Sequence, residues 1–64
     1  MKINTEKIIK EMGRLQIGLA ELGQRFDPPK TKYATWYIIH HAKTMSIIDE
    51  IGKALDMEGK DLII

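Results

Sequence analysis

Lys30, Thr31, Lys32, Ala34 and Thr35 bring two ammonium groups, two hydroxyls and small methyl-bearing side chains close together in the chain. They sit in a stretch, Pro28 to Ile48, that holds three lysines and two histidines and no acid. Lysine ammonium groups pair with phosphate oxygens or guanine edges, and a threonine hydroxyl offers one hydrogen bond. The methyls of Ala34 and Thr35 match the C5-methyl of thymine. On a helix, Ile38 extends the same face, and His41 and Lys43 follow it with two more groups able to pair with phosphate. This pattern suits contact with double-stranded DNA, with Lys30, Thr31, Lys32, Ala34, Thr35, Ile38, His41 and Lys43 as the contacting residues.

Other chemistries find less support. The net charge is only +1 over 64 residues, so the distribution of charge, and not its total, carries the argument for nucleic acid. The acid-free middle is followed by a C-terminal segment, Asp49 to Ile64, in which acids outnumber lysines. With no cysteine there is no disulfide and no thiolate metal site. Adjacent His40 and His41 on a helix point about 100° apart and do not chelate one ion, so no metal or cofactor is expected. Nothing pairs a nucleophile with a base and no glycine-rich phosphate loop is present, which argues against an enzyme and against a small-molecule substrate. No apolar run approaches the roughly 18 residues of a membrane span, and Lys2-Ile3-Asn4-Thr5-Glu6 lacks the apolar core of a signal peptide. A cytoplasmic location is the expectation.

The elements that must position these residues are helices. Thr5 or Asn4 caps a first helix running to about Gln16, with Ile8, Met12 and Leu15 on one buried stripe. Gly13 inside it marks a close helix contact. Ile17-Gly18 reads as a break, and Leu19, Leu22 and Phe26 define a short second helix. Asp27-Pro28-Pro29 ends it, and the prolines suit the first turn of a third helix. In that helix Tyr33, Trp36, Tyr37 and His40 recur at i, i+3, i+4, i+7. The spacing predicts a buried aromatic face, with Lys30, Thr31, Ala34, Thr35 and Ile38 exposed opposite. Thr44 or Ser46 caps a fourth helix carrying Ile48, Ile51 and Leu55, Met57-Glu58-Gly59 interrupts it, and Lys60 to Ile64 form a last turn. The fold class is all-α: one domain over residues 1–64, with four or five short helices.

From Ile17 to Ile64 the chain resembles the lambda-repressor-like (Cro/XRE-type) helix-turn-helix family. That family usually shows a Leu-Ala pair in helix 2, a Gly or polar residue four positions later, apolar core residues ten and thirteen positions later, and then an Ile-Ala-x-x-Leu helix. Here Leu22-Gly23, Asp27, Tyr33, Trp36 and Ile51-Gly52-Lys53-Ala54-Leu55 stand at those places. A side chain larger than a methyl at position 23 would hold the two crossing helices apart. At the turn site the family often has positive φ, which Asp accepts more readily than most residues. Leu19 replaces a frequent Gln, Thr31, Ala34 and Thr35 replace a frequent Arg or Gln, Tyr37 replaces a frequent acid, and Lys43 replaces a frequent Pro. The resemblance implies a compact helix-turn-helix in helices 2 and 3 and a small phage- or mobile-element-like repressor. It also implies a homodimer on an inverted-repeat operator.

Leu62, Ile63 and Ile64 are a candidate dimer interface. Three apolar residues left in water would be costly, so they either close the core over helix 1 or meet the same segment of a second copy. The competing reading keeps the helical fold but turns its third helix to a protein partner, as an antirepressor or assembly factor would. Ile38 on a face without arginine suits that alternative.

Overall fold

The computed structural model describes residues 2–64. Helix α1 spans Thr5–Leu15, α2 Leu19–Gln24, α3 Lys32–His41 and α4 Met45–Leu55, and a 3-10 turn covers Gly59–Leu62. Among the described residues the architecture is all-helical, apart from one antiparallel bridge between Ile3 and Ile63. No helix among them is long and apolar enough to cross a membrane.

Helices α1, α3 and α4 start where the sequence offers a capping side chain, whereas α2 starts after Gly18 without one. Asn4 accepts a hydrogen bond from the Lys7 amide at 3.2 Å, and Thr44 accepts one from Ile47 at 3.4 Å, satisfying amides that have no partner inside the helix. The ends of α1 and α4 share a different device. Gln16 and Asp56 adopt the left-handed conformation. The next amides, Ile17 and Met57, reach back to the carbonyls of Met12 and Gly52 at 3.0 and 2.7 Å. This is the Schellman stop, made here without the glycine that normally supplies it.

The core gathers Ile8 and Met12 from α1, Leu22 from α2, Ile39 from α3, Ile48, Ile51 and Leu55 from α4, Phe26 from the connection after α2 and Leu62 from the 3-10 turn. Polar ties cross it. The Thr5 hydroxyl donates to the Ile39 carbonyl at 2.6 Å, joining α1 to α3. The Arg25 guanidinium donates to the Ala54 carbonyl at 3.1 Å, joining the end of α2 to α4.

Several sequence expectations need correction. Helix α2 stops at Gln24, before Phe26, and α3 begins at Lys32, after the prolines. Pro28 and Pro29 thus belong to the connection and not to the first helical turn, because Thr31 provides the cap and the Lys30 amide folds back onto the Gly23 carbonyl at 2.9 Å. Asp27 is not among the left-handed residues. Gly13 marks no close contact, since a methyl placed there would meet nothing within 4 Å.

The C-terminal segment divides. Leu62 is fully buried in the core of its own chain and is not a dimer surface. The reason is local pairing: its carbonyl accepts from the Asn4 amide at 2.7 Å, and the Ile64 amide donates to Lys2 at 2.8 Å, which holds the segment beside the start of α1. Ile63 is half-buried in the same pairing, and only Ile64, 76% exposed, faces outward.

Candidate nucleic-acid interface

The acid-free stretch folds into the end of the connection after α2, the whole of α3, the link that follows and the first turn of α4. At the foot of α3, the Thr31 hydroxyl accepts from the Ala34 amide at 3.2 Å, while the Thr31 carbonyl accepts from the Thr35 hydroxyl at 2.8 Å. Thr31 is exposed, but its oxygen is committed to holding the helix start. Thr31→Ala is expected to lower stability by about 1 kcal/mol through loss of this cap, with Thr31→Ser close to wild type. Urea unfolding of the two variants measures the difference.

The rotation of α3 about its axis is decided at Gly23. A Cβ there would clash with the Lys30 carbonyl and lie 2.7 Å from the Thr35 hydroxyl oxygen. Helices α2 and α3 therefore approach so closely that only a small side chain fits opposite Gly23, and Thr35 is that side chain. It is 0% exposed. Ile39 and Ala42 follow it at i+4 and i+7 on the buried face, and Ile38 is half-buried against the core beside them.

This reverses the expected face. Thr35 is buried and cannot contact a ligand, and Ile38 is partly withdrawn. Tyr33 at 76%, Tyr37 at 63% and Trp36 at 48% exposure stand outward instead. The aromatic residues have helical spacing, but their bulk cannot be housed at the α2–α3 crossing. Lys32, Ala34, His41 and Lys43 are exposed as expected, and Lys30 is half-buried.

The side chains of this face are ordered against one another. The His40 ring stacks on Trp36 with centroids 4.2 Å apart and planes 24° from parallel. Its Nδ1 lies 2.9 Å from the Trp36 carbonyl oxygen; a carbonyl only accepts, so Nδ1 carries the proton. His41 rests against Tyr37 at 4.7 Å. Lys32 reaches over the Tyr33 ring at 5.3 Å and Lys30 over Phe26 at 5.5 Å, which keeps both ammonium groups near the foot of α3. No family model, curated protein or solved structure matches the chain.

The arginines lie elsewhere. Arg14 pairs with Glu11 on α1, and this partner holds the Glu11 carboxyl below its ordinary range. Arg25 divides its guanidinium between the Ala54 carbonyl and Glu21. Lysine, histidine and aromatic groups thus make up the chemistry of the α3 face. Behind it, Trp36 also lines an apolar groove of about 450 Å³ with Ile9, Met12, Ile17 and Leu19.

Proposed function

We propose that this protein is a sequence-specific, double-stranded DNA-binding transcriptional regulator of the helix-turn-helix kind, with α2 as the supporting helix and α3 as the helix that enters the major groove. The observation that carries the reading is the outward face of α3: Lys32, Tyr33, Ala34, Trp36, Tyr37 and His41, exposed together in a stretch without one acid. A duplex is uniformly negative, and its major groove is wide enough for one α-helix. The close crossing at Gly23 supports the same reading, because it braces α3 on one side while leaving the opposite side open. Of the resemblance to the lambda-repressor-like family, the small residue at Gly23 and the buried Ile51 and Leu55 agree with this reading, whereas Tyr33 and Trp36, set at that family's core sites, are exposed and Asp27 lacks the left-handed turn.

The regulator acts as a homodimer on an inverted repeat, since one helix of ten residues covers only a half-site and a second copy multiplies a modest affinity. Within the C-terminal segment, Ile64 is the residue left for that contact.

Lys30 and Lys32 contribute by charge. Replacing both with Ala is expected to weaken binding to any duplex about tenfold at low salt and to reduce the slope of log K against log salt by about 2. Fluorescence anisotropy over a salt series measures both, and an unchanged slope would contradict a phosphate role for these lysines.

A second reading is favoured by the groove behind Trp36 and by Ile9, which is 51% exposed on its rim. Contiguous apolar surface of this kind suits a protein partner. In that case duplex binding would be weak and blind to sequence, and substitutions in the groove, not at the lysines, would abolish partner capture.

A further inference from the structure

We infer that Tyr33, Trp36 and Tyr37 choose among DNA sequences by contact with thymine C5-methyl groups, so that the preferred half-site presents A·T pairs to α3. The inference rests on the DNA-binding reading and specifies what that face reads.

Hydrogen-bonded readout of base edges follows a short code. Arginine or lysine takes guanine, asparagine or glutamine takes adenine, and an acid takes cytosine. The exposed face of α3 has no arginine, asparagine, glutamine or acid. Both arginines of the chain are held on α1 and at the end of α2 by partners of their own. Lys30 and Lys32 lie at the foot of the helix against Phe26 and Tyr33, placed for phosphate.

What dominates the middle of the face is aromatic surface, with the small Ala34 and the imidazole of His41 beside it. Tyr33 and Tyr37 are one helical turn apart, Trp36 lies between them, and all three are among the most exposed large side chains of the protein. The major groove offers such surface one apolar feature, the thymine methyl. Both kinds of base pair present polar groups to the major groove, and A·T alone adds a methyl. The face therefore discriminates by burying that methyl where thymine stands.

The test uses the duplex that the intact protein enriches from a random pool, with each thymine replaced in turn by deoxyuridine, which lacks only the methyl. Wild type is expected to bind about fourfold more weakly for each contacted methyl removed, the worth of one buried methylene. Tyr33→Ala and Tyr37→Ala should each become indifferent to the replacement at one position, giving a double-substitution cycle between side chain and methyl. Both tyrosines are exposed, so the variants should keep the wild-type melting temperature. Equal binding of thymine and deoxyuridine duplexes, with sequence preference intact, would overturn the methyl contact and leave the DNA reading standing. Failure of the folded protein to bind any duplex would remove both.

Discussion

Gly23→Ala is expected to destabilise the protein by about 2–3 kcal/mol, whereas Gly13→Ala should stabilise it by about 0.5–1 kcal/mol. Both substitutions add one methyl to a helix, and both gain the same backbone propensity. They differ in what the methyl meets. At position 13 nothing lies within 4 Å, so the gain is unopposed. At position 23 the methyl runs into the Lys30 carbonyl and the Thr35 hydroxyl. The carbonyl belongs to the backbone and cannot swing away, because the Lys30 amide is itself bonded to Gly23. Relief requires α3 to move off α2, which opens the core around Leu22 and Ile39. Urea unfolding of the two variants gives the comparison. Equal effects at the two positions would mean that α2 and α3 do not cross closely, and the basis for the α3 face would go with it.

Leu62→Ala should cost about 3 kcal/mol, the range for a large aliphatic residue removed from a closed core. Ile64→Ala, two residues away, should change monomer stability by no more than about 0.5 kcal/mol. Leu62 is fully buried and Ile64 is 76% exposed, so the segment is sharply divided between core and surface. A chain of this size buries only about 60% of its unfolded surface, and the loss at Leu62 would leave little stability in reserve. Thermal melts at several protein concentrations separate two cases. A Leu62→Ala loss that is independent of concentration places Leu62 inside one chain, and a loss that grows on dilution would place it between copies.

Much of the helical framework was legible in the residues. Asn4 and Thr44 are caps by type, whereas the cap at Thr31 was masked in the sequence by the prolines before it, and Ile8 with Met12 or Ile48 with Ile51 and Leu55 make stripes that only a helix brings to one side. The orientation of α3 was harder because its sequence carries two competing stripes of the same period, Tyr33-Trp36-Tyr37-His40 and Thr35-Ile39-Ala42. Apolarity ranks the aromatic set first. The deciding signal was present at Gly23, which demands a close crossing and therefore a small residue opposite, and Thr35 meets that demand while tyrosine and tryptophan do not. The stops at Gln16 and Asp56 were hidden for another reason: the left-handed position usually advertises itself with glycine, and here it is filled by ordinary residues. Consequently the lysines Lys32 and Lys43, together with Ala34 and His41, stand exposed where the sequence placed them, whereas Thr35 and Ile38 gave way to Tyr33, Trp36 and Tyr37.

On the function proposed above, the outward face of α3 recognises duplex DNA. Selection of a random duplex pool by the purified protein at about physiological salt, with light scattering on the same sample, tests it most directly. Enrichment of an inverted repeat by a dimer is expected, with loss of that enrichment in the Tyr33→Ala, Tyr37→Ala double variant. A folded protein that enriches no sequence would contradict it.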